Sequence, residues 1–134
     1  MTRSGLREEI FKLLFRVEFN ALEDMEEQKR LFLLCDEELL SESDEAYISE
    51  KYENIAAMLP EIDAQLALKT EGWNKKRLGK VELTILRLAV YEILKDDTVP
   101  AGVAINEAVE LAKKYGQENA GSFVNGVLAK FVRE

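Results

Sequence analysis

Histidine is absent from this sequence of 134 residues, and cysteine occurs once, as Cys35. Without an imidazole the chain has no His-based acid–base catalyst, no Ser-His triad and no His-ligated metal. A single cysteine forms neither an internal disulfide nor a cysteine-rich zinc site, which fits a reducing cytoplasm. Because Cys35 lies in an apolar helical run, we predict that it is an inert core residue.

Other catalytic and targeting signatures are also missing. No glycine-rich phosphate loop occurs, and no stretch approaches the roughly 20 consecutive apolar residues that span a bilayer. The charged first residues do not resemble a signal peptide. Paired carboxylates such as Glu8 and Glu9 point in different directions on a helix, so they indicate solvated surface. We therefore expect a cytoplasmic protein that is not an enzyme, with no cofactor, no metal and no membrane partner.

The formal net charge of -8 is unevenly distributed. Residues 23–63 contain fourteen Asp and Glu and three basic residues, whereas the rest of the chain contains fifteen basic and twelve acidic residues. A chain that confines its acidic residues to one segment can still present a basic surface to RNA or DNA. An acidic face that only maintains solubility explains the charge equally well.

The apolar residues recur at helical spacing throughout, and no alternating strand pattern of useful length is present. In the first helix, Phe11, Phe15 and Phe19 form a stripe beside the core face. Only one of these two faces can serve the core, so the other must contact a neighbouring helix or a partner. Hydrophobic residues make up 47% of the sequence, which is enough for one core. The sequence predicts an all-α domain over residues 1–134 with about seven helices.

Capping residues, prolines and glycines suggest where the helices begin and end. Ser41 and its polar neighbours can cap the third helix, and Pro60 can open the fourth as its first residue. The fifth helix is apolar on most sides and should lie at the centre of the domain. Four of the predicted helices have approximate bounds, namely 4–20, 25–40, 81–94 and 103–115. The third helix contains Ile48 and Leu59, the short fourth helix contains Ile62 and Leu66, and the last helix contains Phe123 and Phe131.

Two glycines and one polar pair carry specific expectations. Gly116 follows the sixth helix, and we predict that it forms a left-handed cap. Gly126 lies inside the last helix, where glycine costs about 1 kcal/mol relative to alanine. Close helix–helix packing is the favoured explanation for Gly126, and contact with a nucleic acid is the alternative. Asn106 and Glu107 fall in the first turn of the sixth helix, where fixing the preceding loop is favoured over binding a ligand.

Ten basic residues form three small groups outside the acidic segment. They are Arg3, Arg7, Lys12 and Arg16; Lys75, Lys76, Arg77 and Lys80; and Lys113 and Lys114. If the groups converge, they neutralise several phosphates, and Phe123 or Tyr115 can stack an unpaired base. Taken one at a time, each group is better explained as ordinary solvated surface.

The C-terminal half of the chain contains an ordered series of distinctive segments, namely Leu78–Glu82, Ile85–Glu92, Val99–Pro100, Val103–Lys113, Tyr115–Gly116 and Phe123–Leu128. These segments resemble the NusB family of transcription antitermination factors. The similarity runs densely and in order over about residues 72–131. The first helix is similar more loosely, and residues 23–63 carry little family signal.

The resemblance implies an all-α fold of two packed three-helix groups and a non-catalytic function. Proteins of this family pair with NusE, a ribosomal small-subunit protein that doubles as a transcription factor. Together they bind the boxA element of nascent RNA, chiefly in ribosomal RNA operons, and load onto RNA polymerase with NusA and NusG. We therefore expect a bacterial protein with these partners. The family includes monomers and homodimers, so a homodimer is a further expectation.

Site residues carry over from the family by position. The RNA surface maps onto Arg3, Arg7, Lys76, Lys80, Lys114 and Phe123. The surface that faces NusE maps onto Phe15 and Glu82. Family members commonly begin with a run of arginines, which Ser4 and Gly5 interrupt here. We therefore expect weak binding to boxA RNA alone and much tighter binding with NusE.

Two other functions stay open at this level. A NusB-like domain also occurs as an RNA-binding appendage of certain ribosomal RNA cytosine methyltransferases, but the 134 residues contain no methyltransferase segment, which disfavours this alternative. A protein–protein adaptor without RNA binding fits the acidic balance and the sparse arginines.

Overall fold

The computed structural model describes residues 1–34 and 40–132, which form seven α-helices and no strand. The helices are α1 (Arg3–Phe15), α2 (Met25–Leu34), α3 (Glu42–Ala57), α4 (Leu59–Lys69), α5 (Lys80–Lys95), α6 (Ala101–Tyr115) and α7 (Ala120–Ala129). The predicted all-α class is confirmed. The predicted continuation of the second helix to Leu40 and the core position of Cys35 involve residues 35–39, which lie outside the described residues.

The chain divides into two compact units, Met1–Ala56 and Ala57–Glu134. The first contains α1, α2 and nearly all of α3, and the second contains α4 to α7. The two helix groups that the resemblance implies are therefore present, with a fourth helix in the second group. None of the described helices combines the length and the apolar character that crossing a membrane requires.

Side-chain caps begin two helices of the first unit. The hydroxyl of Thr2 accepts a hydrogen bond from the backbone N–H of Gly5 at 2.9 Å and so caps α1. The hydroxyl of Ser41 accepts from the N–H of Asp44 at 3.1 Å, as predicted for α3. The first helix is shorter than predicted, because a short 3-10 helix, Arg16–Glu18, follows α1 directly.

The phenylalanine stripe of α1 runs from the core to the surface. Phe11 is buried, Phe15 is half-buried and Phe19 is 60% exposed. The rings of Phe11 and Phe15 lie 6.1 Å apart, and those of Phe15 and Phe19 meet edge to face at 5.1 Å. The stripe therefore belongs partly to the core of the first unit and leaves an aromatic edge exposed.

Helix α5 is the centre of the second unit, as predicted. It contacts α4, α6 and α7, and its residues from Leu83 to Glu92 are all buried. Pro60 lies in the first turn of α4, one residue later than expected, where its missing N–H costs no helical hydrogen bond. The last helix ends at Ala129, before Phe131.

The prediction of a left-handed cap at Gly116 is wrong. Gly116 ends α6 with a φ of -88°, a conformation open to any residue. A Cβ at this position would lie 2.6 Å from the Cβ of Ala120 and 2.7 Å from the carbonyl oxygen of Ala112. The turn from α6 into α7 therefore requires glycine for close approach. The left-handed residue is Asn119, with a φ of 74°.

A buried ion pair joins α4 to α5. Arg87 donates from Nε to one oxygen of Asp63 at 2.9 Å and from a terminal nitrogen to the other at 2.8 Å. The Arg87 side chain is 6% exposed. Lys75, in the segment between α4 and α5, also approaches Asp63, at 3.2 Å. One carboxylate thus ties two helices and the intervening segment together.

We expect Asp63→Ala to lower the free energy of unfolding by about 2–3 kcal/mol, because it removes the bidentate partner of a buried guanidinium. Lys75→Ala is the matched control, since Lys75 is half exposed and surface ion pairs contribute about 1 kcal/mol or less. Urea unfolding monitored by circular dichroism measures both. Equal losses in the two variants would contradict this account.

Candidate nucleic-acid interface

Arg3 is exposed at the start of α1, and its side chain is held by contacts with α3. It donates to the hydroxyl of Tyr47 at 3.0 Å, and its guanidinium lies 5.1 Å from the centre of that ring. Lys51 approaches the same ring at 5.6 Å. The ring of Tyr47, on α3, thus contacts two cations, and Arg3 remains accessible to solvent.

Arg7 does not lie on the surface, where the resemblance places it. Its side chain belongs to the buried polar residues, with 5% exposure, so it does not present a guanidinium to solvent. Lys12 and Arg16, the other basic residues of the first group, both contact other side chains. Lys12 pairs with Glu9 at 3.5 Å, and Arg16 lies over the ring of Phe32 at 5.2 Å. The first unit therefore offers Arg3 as its accessible candidate among the mapped residues.

In the second unit, the segment between α4 and α5 folds as two successive turns. Trp73 N–H donates to the carbonyl of Thr70 at 3.2 Å, across Gly72, whose φ of +72° favours glycine. The side chain of Asn74 then accepts from the N–H of Lys76 at 3.0 Å, an Asx turn. We call residues 70–79 the connector. These turns fix the backbone that carries Trp73 and Lys76.

The mapped lysines of the connector, of the start of α5 and of α6 are all exposed. They are Lys76, Lys80 and Lys114. The ammonium of Lys114 lies 5.4 Å from the ring centre of Tyr115. Lys113, its neighbour, is 3.7 Å from Glu110.

Phe123, on α7, is 38% exposed and therefore not sealed in the core. It lines a cavity of about 150 Å³ together with residues of the connector. The other residues that line the cavity are Thr70, Glu71, Gly72, Trp73, Asn74, Arg77 and Leu78. The fold thus brings the basic, aromatic connector to Phe123, about fifty residues later in the sequence.

A second depression lies between α6 and α7. This groove, of about 410 Å³, is lined mainly by polar side chains, among them Asn106, Lys113, Ser122 and Asn125. Asn106 lies in the second turn of α6, since the helix begins two residues earlier than expected. In the described part of the chain no hydrogen bond joins its side chain to the preceding loop. Asn106 lines this groove, and the role of the Asn106–Glu107 pair in fixing the preceding loop stays a prediction.

Gly126 has no packing reason to be glycine. A Cβ built on it meets no atom within 4 Å, and the residue is exposed. The favoured expectation, close packing against another helix, is wrong. Because Gly126 lies in the motif Phe123–Gly126, the alternative of an external ligand at this helix surface remains.

The residues mapped to a NusE surface are both half-buried. Phe15 lies between Phe11 and the exposed Phe19. The Glu82 side chain folds back over the start of α5. Its carboxylate would collide with a Cβ atom added at Gly79, and it would lie 3.2 Å from a Cβ atom added at Gly116. Both glycines thus leave room for the Glu82 carboxylate.

The NusB family profile matches residues 4–133. The chain belongs to the NusB family. Its relatives include a protein of Agathobacter rectalis named transcription antitermination protein NusB, with 52% identity over 98% of this chain and 99% of the relative. As a member of the NusB family, the chain is not an enzyme.

Two solved structures of the NusB family extend the comparison. T. maritima NusB has 36% identity and a TM-score of 0.89, covering 100% of this chain and 92% of that chain. A crystal structure of the antitermination factors NusB and NusE in complex with double-stranded RNA has 29% identity and a TM-score of 0.77, covering 96% of this chain and 94% of that chain.

The sequence groups Arg77 with the basic residues before α5 but assigns neither Arg77 nor Trp73 to a site, although both line the cavity with Phe123. A signal was available, since Trp73 is the single tryptophan of the chain and lies beside a run of basic residues. Thr70 carried no signal, because nothing in the sequence shows that it lines a cavity with Phe123.

We expect Gly126→Ala to raise the free energy of unfolding by about 0.5–1 kcal/mol, because alanine is the better helix former and the position is open. Gly116→Ala is the contrasting variant and should lower it by about 1–3 kcal/mol, since its Cβ would overlap Ala120 and Ala112. Urea unfolding of both variants measures the difference. If Gly126→Ala instead lowered the free energy of unfolding, another part of the chain would have to pack against this helix surface.

Proposed function

We propose that this protein acts with NusE as a bacterial, cytoplasmic transcription antitermination factor. The pair binds the boxA element of nascent RNA, mainly from ribosomal RNA operons, and assembles on RNA polymerase with NusA and NusG. The observation that carries the proposal is the exposed Phe123 beside a basic, aromatic connector in a member of the NusB family. The complex of NusB and NusE with RNA supports the choice of partners.

The proposed RNA surface has a part in each unit. In the second unit it consists of Lys76, Lys80, Lys114 and Phe123, and Arg3 contributes from the first. The lysines neutralise phosphates, and the Phe123 ring stacks on an unpaired base. Arg7 is left out of this surface because its side chain is buried.

The proposed NusE surface includes Phe15 and Glu82. On α1 the half-buried Phe15 meets the exposed ring of Phe19 edge to face, so the two aromatic side chains offer an apolar contact. Aromatic residues are enriched where protein interfaces bury their core. Formation of a homodimer remains a prediction.

We expect weak binding to boxA RNA by the protein alone and much tighter binding when NusE is present. The reason is charge, since the first twenty residues contain four basic and three acidic side chains. NusE would supply additional basic surface. A filter-binding titration at fixed salt, with and without NusE, measures the two affinities. Equal affinities would refute the cooperative account.

The salt dependence of the same titration separates this function from a pure protein adaptor. An RNA-binding complex loses affinity steeply as salt increases, because each neutralised phosphate releases counterions. An adaptor would give no specific RNA complex at any salt concentration, although a pull-down would still recover NusE.

We expect Phe123→Ala to weaken RNA binding by roughly tenfold or more, because a base stacked on an aromatic ring is worth about 1–3 kcal/mol. The variant should keep its helical circular dichroism, since Phe123 is partly exposed. Leu94→Ala is the matched control, because Leu94 is 39% exposed and lies outside the proposed surface. Loss of helical signal in Phe123→Ala, or an equal affinity loss in the control, would assign Phe123 to packing.

A further inference from the structure

The cavity between the connector and α7 has the size of a single aromatic ring. Its volume is about 150 Å³. An apolar protein cavity of roughly that volume binds one benzene molecule, which sets the scale for a six-membered ring. The volume of the cavity therefore matches a one-ring pyrimidine more closely than a fused two-ring purine.

The walls of the cavity combine stacking surfaces with polar groups. Phe123 and Trp73 supply aromatic rings from α7 and from the connector. Arg77 lines the same cavity, and its exposed side chain has no ion-pair partner in the described part of the chain. A guanidinium can stack on a base or donate hydrogen bonds to its carbonyl oxygen and to a phosphate. Single-stranded RNA is commonly held by this combination of aromatic rings and arginine.

Thr70 adds an incomplete hydrogen-bonding group. Its hydroxyl is buried and, within the described residues, has no hydrogen-bond partner. Leaving such a group unpaired costs about 1–3 kcal/mol, and native structures rarely tolerate it without a reason. Thr70 directly follows α4 and lines the cavity, and the residue is half-buried. An occupant of the cavity can therefore supply the partner that the hydroxyl lacks.

We propose that this cavity binds one unpaired pyrimidine base of the RNA. The base stacks against Phe123 and Trp73, its edge gives the Thr70 hydroxyl the missing partner, and Arg77 contacts its carbonyl oxygen or the adjoining phosphate. A hydroxyl both donates and accepts, so the pocket takes uracil and cytosine alike. This inference rests on the proposed RNA-binding function and assigns one base to one place within it.

The single tryptophan of the chain makes the pocket directly observable. Protein labelled with 5-fluorotryptophan gives one ¹⁹F resonance, from Trp73, and unlabelled NusE adds none. The probe is single-stranded boxA RNA, together with a set of the same RNA in which one nucleotide at a time is abasic. RNA affinity is measured in parallel by anisotropy, with NusE present.

The intact RNA should shift the Trp73 resonance. One abasic substitution, at a pyrimidine position, should abolish the shift and weaken binding by roughly 5- to 150-fold, the range for one stacked base. Thr70→Val, which keeps the shape and removes the hydroxyl, should weaken binding of the intact RNA by roughly 2- to 10-fold. The same variant should leave the affinity for that abasic RNA unchanged, because the lost hydrogen bond is absent there.

The alternative outcomes separate the two proposals. If the RNA binds with NusE but the Trp73 resonance does not move for any sequence, the pocket assignment is wrong and the proposed function stands. A response confined to a purine position would overturn the choice of a pyrimidine. If no specific RNA complex forms even with NusE, the proposed function fails and this inference fails with it.

Discussion

The carboxylate of Asp63 is the constraint on which the arrangement of the second unit depends. It accepts two hydrogen bonds from the buried Arg87 and approaches Lys75 in the connector. A charged guanidinium is costly to bury unless a partner satisfies it, so α4 and α5 must meet where this pair forms. Lys75 approaches one of the same two oxygen atoms and so adds a weaker, solvent-exposed contact between the connector and α4.

The position of the connector explains how distant residues form one site. Two short turns, stabilised by Gly72 and Asn74, place Trp73 and Arg77 along the wall that Phe123 completes from α7. Helix α7 is held in turn by the close approach at Gly116, which brings Ala120 against the end of α6. The candidate base site therefore depends on an ion pair and on a missing Cβ, neither of which belongs to the residues that line the cavity.

The helices were predictable because their apolar residues repeat at helical spacing. The central position of α5 followed from its uninterrupted apolar character, and the Ser41 cap followed from a hydroxyl placed just before the helix. Glycines were harder, because a sequence shows only that a Cβ is missing. Gly116 is required by close contact and not by a left-handed φ, whereas Gly126 has open space around it. Only coordinates distinguish these causes.

Only part of the candidate site was predictable from the sequence, because its residues come from segments of different regularity. Phe123 could be singled out from its motif, but its neighbours in the cavity come from a connector whose turns have no helical period. Arg7 shows the opposite failure, since a basic residue in a basic group was assigned to the surface and is buried. Helical periodicity predicts which face is apolar, but not which charged side chains find partners in the interior.

The most direct measurement is photo-crosslinking of boxA RNA substituted with 4-thiouridine to the full-length protein in the presence of NusE, followed by mass spectrometry. If the connector and α7 form the RNA surface, the crosslinked peptides will come from residues 70–80 and from the segment around Phe123. Crosslinks confined to NusE, or to the acidic residues 23–34, would contradict the account.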